Sequence, residues 1–234
     1  MEEILINGFS ELGLSIPNGA VNQFRTYYEL LDETNRVMNL TAITGESETA
    51  RLHFLDCVAL LKTVDFTGKR VIDVGTGAGF PGIPLKIVEP SIRLTLLDSQ
   101  AKRVRFLERV VEALQLTDTE TVVSRAEEAP SEFRETFDIA CARAVTRLDA
   151  LAELCLPLVR VGGVFVAMKG PAAEEELKEA ETAIRILGGS VRELAVCQVP
   201  GTDVTHRAVV IEKTGTTPAR FPRRWAKIQK ETVR

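Results

Sequence analysis

Short β-branched runs alternate with segments of helical periodicity from Lys69 onwards, and this alternation constrains the fold more than any other feature. The runs include KRVIDV, RLTLLDS, TETVVS, FDIACARA and GGVFVAMKG. Such an order is typical of a doubly wound α/β fold, an open and mostly parallel sheet with helices on both faces. Two further runs, GSVRELAVCQVPG and THRAVVIEK, have no helix between them, so we expect this last pair to be antiparallel and to complete a seven-stranded sheet.

Residues 1–67 have a different pattern, in which apolar side chains recur at helical spacing. Thr44 or Ser47 is the expected N-cap of the helix that follows them. We therefore predict three parts: a helical extension over residues 1–67 that packs on the core, a sheet domain over 68–213 and a basic tail over 214–234.

Charge is unevenly distributed between body and tail. The chain has a net charge of −4, but residues 214–234 hold six basic side chains and one acidic one, so that residues 1–213 carry −9. A basic tail on an acidic body favours contact with a polyanion, with a solvated tail that only aids solubility as an equal alternative.

Several classes of protein are disfavoured by composition. The four cysteines and two histidines are scattered, without the spacing of metal ligands, so we expect no metal. The N-terminus lacks the pattern of a signal peptide, and no stretch is long and apolar enough to cross a membrane. We therefore expect a cytoplasmic protein.

The stretch VIDVGTGAGFPGIP, residues 71–84, places four glycines directly after the first run. From Gly77 it reads GxGxxG, a weak match to the dinucleotide fingerprint that is also out of register, because Gly75 is the glycine that follows the strand. Asp73 would repel a phosphate. The order acid-x-Gly-x-Gly-x-Gly is the first motif of the class I S-adenosylmethionine-dependent methyltransferases, whose cofactor has no phosphate and carries an ammonium and a sulfonium.

The ends of the next two runs carry polar groups suited to a nucleoside. Asp98 can accept hydrogen bonds from both ribose hydroxyls of either cofactor, and its alternative role is a helix N-cap. After the third run, the Ala126 amide and the Glu127 carboxylate are predicted to contact adenine. An exposed acid in a first helical turn is the alternative for Glu127.

The fourth run ends in CARAV, at the position where the chemistry of this fold usually lies. The Asn/Asp-Pro-Pro-aromatic motif of amine methylation is missing there. Cys141 has no preceding proline, which disfavours methylation of pyrimidine C5, and we interpret it as a small buried residue. An acceptor with a free lone pair, such as purine N7, remains. We therefore predict no general base and assign no catalytic residue.

With these motifs the chain resembles the bacterial small-subunit ribosomal RNA guanine-N7 methyltransferases, the glucose-inhibited division protein B family. The resemblance covers nearly the whole chain and rests on MNLTAI, HFLDCVALL, VIDVGTGAGFPGIPLKI, LLDSQAKRVRFLERV, SRAEE, ARAV and MKG, in that order. It implies methylation of a guanine in the 530 loop of 16S rRNA, in free rRNA or an assembling small subunit, by a protein expected to be a monomer. The alternatives are a nucleotide-binding regulatory module and an NAD-dependent enzyme.

The resemblance also implies roles for individual residues. The cofactor residues expected from it and from the glycine motif are Gly75, Gly77, Phe80, Asp98, Ala126, Glu127 and Arg143. The alternative for Arg143 is an ion pair that orders its loop. Residues expected at the RNA cleft or in the RNA-binding tail are His53, Lys169, His206, Arg207, Arg223 and Arg224. The tail departs from the family after Pro-Arg-Arg by inserting Trp225. We expect the tail to add RNA affinity and to leave cofactor affinity unchanged, because Gly75 and Asp98 lie in the sheet domain.

Overall fold

A computed structural model describes residues 1–143 and 145–233, so Ala144 of the CARAV motif and Arg234 of the tail lie outside the described residues. The strands are β1 Arg70–Val74, β2 Arg93–Asp98, β3 Thr119–Val123, β4 Phe137–Arg143, β5 Val159–Lys169, β6 Gly189–Gln198 and β7 Thr205–Lys213. The α-helices are α1 Glu2–Leu12, α2 Ala20–Met38, α3 Glu46–Thr49, α4 Asp56–Val58, α5 Gly82–Val88, α6 Ala101–Ala113, α7 Leu148–Cys155, α8 Ala173–Ile186 and α9 Trp225–Ile228.

The seven strands form one sheet in the order β3-β2-β1-β4-β5-β7-β6. All neighbours are parallel except β7, which is antiparallel to both β5 and β6. The predicted doubly wound sheet with an antiparallel last pair is therefore confirmed. The strand order reverses between β1 and β4, so the carboxyl ends of these two strands border the crevice in which doubly wound sheets bind ligands.

Two apolar layers cover the sheet. On one face, helices α1, α2, α5 and α6 pack with the helical segment 46–62 around the aromatic side chains Phe24, Tyr27 and Phe54, all fully buried. On the other face, α7 and α8 pack together with Phe221, Ile228 and Val233 of the tail. The C-terminal tail is therefore part of the core of the second layer.

The segment 46–62 changes its helical type along its length. It runs from α3 through a π-helical turn, Ala50–Leu55, and α4 to a 3-10 turn, Ala59–Lys62. π-turns inside helices are rare and are frequent at functional sites. The prediction of Thr44 or Ser47 as the N-cap is wrong: Gly45 has this position, and no side chain of the described residues caps the helix. The division into three parts at residues 67 and 213 stays a prediction.

Candidate active site

The glycine loop after β1 requires glycine for both backbone and space. Gly75, Gly77 and Gly79 have φ values of 68°, 62° and 104°, which L side chains rarely adopt. A Cβ at Gly75 would lie 2.8 Å from Val145 Cγ2, and a Cβ at Gly79 would lie 2.6 Å from the Tyr27 hydroxyl. The loop therefore presents bare backbone at the carboxyl end of β1.

Asp73 fixes this loop from below. Its Oδ2 accepts hydrogen bonds from the Thr76 hydroxyl at 2.7 Å and the Gly82 amide at 2.8 Å. Its Oδ1 is buried and has no hydrogen-bond partner among the described residues. Burial raises the pKa of Asp73 to about 6, and the two hydrogen bonds act against this rise. The acid of the motif thus organises the loop from the interior.

A cavity of about 260 Å³ opens above the carboxyl ends of β1 and β2, and we call it the Asp98 cavity. It is lined by Val74, Gly75, Leu97, Asp98, Ser99, Arg103, Ser124, Arg125, Ala126, Glu127, Val145, Leu154 and Trp225. Four of the seven predicted cofactor residues, Gly75, Asp98, Ala126 and Glu127, therefore share one cavity.

Asp98 lies at the centre of this site, at the end of β2. It is buried, and its carboxylate accepts hydrogen bonds from the Gly77 amide at 3.0 Å and the Gln100 amide at 2.8 Å. Arg103 Nη1 is 3.5 Å away. Gln100, and not Asp98, is the N-cap of α6. Gly77 reaches the site through this hydrogen bond to Asp98, although it does not line the cavity.

Glu127 follows β3 in a 3-10 turn, Ala126–Glu128. Its carboxylate accepts a hydrogen bond from Arg125 Nε at 2.8 Å, and its side chain is only 7% exposed. The alternative of an exposed acid is therefore wrong, because Arg125 holds the carboxylate against the cavity wall.

A second cavity, of about 530 Å³, lies further along the same edge, and we call it the Arg143 cavity. Arg143 ends β4, and its guanidinium lies 4.7 Å from the centre of the Phe80 ring. It donates to His53 Nδ1 at 2.8 Å and to Asp56 Oδ2 at 3.4 Å. The lining is Thr41, Ile43, Leu52, His53, Asp56, Arg143, Met168, Lys169, Gly170, Glu176, Val204 and His206.

The two histidines of the Arg143 cavity have opposite electrostatic environments. Burial lowers the pKa of His53 to about 3, and Arg143 acts in the same direction. Because Arg143 donates to its Nδ1, neutral His53 carries its proton on Nε2 and donates it to the Thr41 hydroxyl at 2.8 Å. His206 Nδ1 lies 2.7 Å from Asp56 Oδ1, and this hydrogen bond raises the pKa of His206.

The glycine loop connects the two cavities. Gly75 lines the first, and Phe80 packs against the second, with its ring stacked on His53 at 4.3 Å between centroids. Phe80 is buried and, like Arg143, does not line the Asp98 cavity. The structure therefore places Phe80 between the two cavities and Arg143 in the lining of the second one.

Lys169 and Arg207 are neighbours across β5 and β7. Lys169 lines the Arg143 cavity, donates to the Thr146 carbonyl at 2.8 Å and pairs with Glu176 at 2.6 Å. Arg207 is half-buried, and the alternation along β7 directs it to the face opposite His206. Of the predicted cleft residues, His53, Lys169 and His206 come together, and Arg207 does not join them in the cavity lining.

The basic tail is partly engaged within the protein. Arg223 binds the fully buried Glu153 through its Nε at 2.8 Å and its Nη2 at 2.6 Å, and its side chain is 14% exposed. An arginine held in this way has few donors left for phosphate. Among the tail residues that the structure describes, the basic side chains exposed to solvent are those of Arg220, Arg224, Lys227 and Lys230.

Cys141 is fully buried beside Asp73 in the sheet, which confirms its interpretation as a small buried residue. Burial raises the pKa of its thiol well above the ordinary value. Within residues 1–143 and 145–233, no group of three or more histidine, cysteine, aspartate or glutamate side chains has the arrangement of a metal site. None of the helices in this part of the chain is long and apolar enough to span a membrane.

Two site residues escaped the sequence analysis. Asp56 is 1% exposed and pairs with both Arg143 and His206. Its signal was present in HFLDCV, where an acid interrupts an apolar helical run. Trp225 of the tail lines the Asp98 cavity together with Gly75 and Asp98, so the tail is not spatially separate from these two residues. Whether the tail leaves cofactor affinity unchanged stays a prediction.

Comparison with known proteins agrees with this architecture. Among solved structures, TrmN from Thermus thermophilus superposes with a TM-score of 0.54 at 24% identity, over 68% of this chain and 48% of its own. A branched-chain polyamine synthase mutein from the same organism, in complex with N4-aminopropylspermidine and 5'-methylthioadenosine, gives a TM-score of 0.66 at 16% identity, over 92% of this chain and 69% of its own. These likenesses show the fold.

Sequence relatives show the family. The ribosomal RNA small subunit methyltransferase G of Alkaliphilus metalliredigens is 48% identical over 94% of each chain. The protein of the same name from Pelotomaculum thermopropionicum is 47% identical over 96% of this chain and 95% of its own. The family model described as rRNA small subunit methyltransferase G matches residues 20–205. The regulatory and NAD-dependent alternatives are not favoured, and the chain belongs to the rRNA small subunit methyltransferase G family.

Proposed function

We propose that this chain transfers the methyl group of S-adenosylmethionine to N7 of a guanine in the 530 loop of 16S rRNA. It acts as a monomer in the cytoplasm, on free rRNA or on an assembling small subunit. Family membership supports small-subunit rRNA as the substrate class. The lining of the Asp98 cavity supports S-adenosylmethionine as the cofactor, and the lining of the Arg143 cavity supports guanine N7 as the acceptor atom.

The Asp98 cavity has the chemistry that an adenosine requires. The Asp98 carboxylate offers acceptor oxygens for ribose hydroxyls, and the bare backbone at Gly75 allows close approach. Ala126 and Glu127 offer an amide and a carboxylate to the adenine edge, with apolar walls from Leu97 and Val145. Bound S-adenosylmethionine supplies an electrophilic methyl group at a sulfonium.

The proposal that N7 is the acceptor atom rests on the ion pairs and hydrogen bonds of the acids and imidazoles that line the Arg143 cavity. Asp56 binds Arg143 and His206, and Glu176 binds Lys169. His53 has both ring nitrogens in hydrogen bonds and a pKa of about 3. Asp56, Glu176 and His53 are therefore poor general bases, which suits guanine N7, a lone pair with no proton to remove. His206, whose Nδ1 pairs with the buried Asp56, is the described lining residue with the arrangement of a general base, and the pH dependence of the rate tests that role.

Catalysis then rests on position and orientation. Aligned reactants supply a large part of a rate enhancement without any proton transfer. Arg143 is fixed by His53, Asp56 and the Phe80 ring, so its charge and donors have a defined direction at the cavity wall. Guanine presents the acceptors N7 and O6 on one edge, and O6 suits a cationic donor such as Arg143 or Lys169.

Asp98→Ala tests the cofactor assignment. The variant lacks two ribose hydrogen bonds to a charged group, each worth roughly 1.5–3 kcal/mol, so S-adenosylmethionine affinity should fall at least tenfold by isothermal titration calorimetry. Glu108→Ala, which removes an exposed acid on α6, should bind like the wild type. Unchanged affinity in Asp98→Ala, or tighter binding of NAD than of S-adenosylmethionine by the wild type, would contradict the proposal.

A further inference from the structure

Trp225, the only tryptophan in the chain, lines the cavity formed by the glycine loop and Asp98. It is half-buried and packs against the apolar layer of α7 and α8. The other lining residues are aliphatic, polar or charged, so Trp225 is the one flat aromatic surface among the described residues of the wall. It comes from the tail, far along the chain from Gly75.

A buried ion pair fixes the tail at this position. Arg223, two residues before Trp225, binds Glu153 of α7 through side-chain hydrogen bonds and through its own backbone amide at 2.8 Å. The residue after Glu153, Leu154, lines the same cavity. The salt bridge therefore holds Trp225 and Leu154 together at the wall of the Asp98 cavity.

Further contacts on both sides of Trp225 hold the tail against the body. Arg134 donates to the carbonyls of Thr217 at 2.7 Å and Phe221 at 2.8 Å. Phe221 and Ile228 are buried, at 5% and 3% exposure. The indole is thus presented by an anchored segment of the tail.

We propose that Trp225 stacks on the adenine ring of the nucleoside bound in the Asp98 cavity, which makes the C-terminal tail a part of the cofactor site. The inference rests on the proposed function only in taking S-adenosylmethionine as that ligand. Adenine is a flat aromatic base, and removal of an aromatic partner weakens stacking by about 5- to 150-fold in affinity. The segment that departs from the family thus has a cofactor role.

The test uses the full chain and S-adenosylhomocysteine, which contains the same adenosine. Titration of the wild type should quench Trp225 fluorescence with saturation, at the dissociation constant found by calorimetry. Trp225→Ala should weaken binding about 5- to 150-fold, and Trp225→Phe should recover most of the affinity, because phenylalanine keeps a stacking face. Gln229→Ala, an exposed tail variant, should bind like the wild type.

The outcomes separate this inference from the proposed function. No binding of S-adenosylhomocysteine by the folded wild type would overturn both. Binding that leaves Trp225 fluorescence unchanged, with the same affinity in Trp225→Ala, would overturn the inference alone. A fluorescence response to RNA and none to S-adenosylhomocysteine would also overturn it, since the indole would then face a base of the substrate.

Discussion

Replacement of Asp73 by asparagine is expected to change how the stability of the protein depends on pH. Asp73 is fully buried, and burial raises its pKa from the ordinary 3.8 to about 6. The native protein therefore holds this proton more tightly than the unfolded chain does. It follows that Asp73 makes the free energy of unfolding of the wild type fall as pH rises from about 4 to 6. Asparagine does not titrate, so the variant lacks this contribution.

The magnitude follows from the two pKa values. The interval from 3.8 to about 6, at about 1.36 kcal/mol for each pH unit, corresponds to about 3 kcal/mol. The unfolding free energy of Asp73→Asn minus that of the wild type should grow by this amount from acid to neutral pH. Most of the growth falls between about pH 4 and 7. All other titrating groups are common to both proteins and cancel in the difference.

Urea unfolding at several pH values between about 4 and 7.5, followed by circular dichroism, measures this difference. Asp203→Asn, in the exposed turn between β6 and β7, is the matched control and should show a constant difference. A constant difference for Asp73→Asn as well would refute the account of Asp73 as a buried acid with one unpartnered oxygen. A difference that shrinks as pH rises would show that the ionised form is the stabilised one.

Three further predictions concern catalysis, the tail and RNA binding. With saturating RNA, the single-turnover rate should be flat from about pH 6.5 to 8.5, since guanine N7 has no proton to remove. RNA affinity should fall as pH rises through the raised pKa of His206, because the positive charge of the imidazolium is lost. His206→Asn should abolish that fall in affinity. A steep rise of the saturated rate with pH would contradict the first part. Glu153→Gln should lower the free energy of unfolding by about 3 kcal/mol, because it breaks a buried ion pair with Arg223, and a normal denaturation midpoint would refute this role. Lys227→Ala and Lys230→Ala together should flatten the slope of log RNA affinity against log salt by roughly 0.7–0.9 for each phosphate that these lysines neutralise. Arg93→Ala, which removes an exposed charge at the amino end of β2, should leave this slope unchanged.

The sheet and the first cavity were predictable because their signals are local. The β-branched runs and the glycines at Gly75 and Gly77 specify strand ends and loops within a few residues, and the doubly wound topology then brings Asp98 and Glu127 to the same edge. The antiparallel last pair followed from the lack of a helix between the two runs.

Other features depend on packing between distant parts of the chain. The sequence motif around Asp73 does not indicate where its carboxylate points. In the structure this carboxylate faces the underside of the glycine loop and not the cavity. The charge of Arg223 indicated a polyanion contact, but a buried partner 70 residues away, Glu153, binds it. Trp225 and Gly75 line the same cavity, which only the three-dimensional structure shows, because no local sequence pattern indicates where the tail packs.

The position of the transferred methyl group tests the central claim most directly. Purified protein, S-adenosylmethionine labelled in the methyl group, and either unmethylated 16S rRNA or small subunits should give one labelled N7-methylguanosine, which N7-specific cleavage should place in the 530 loop. Asp98→Ala should reduce the label at low cofactor concentration. Label on another atom or another region of the rRNA, or no transfer to either substrate by protein that binds S-adenosylmethionine, would contradict the account.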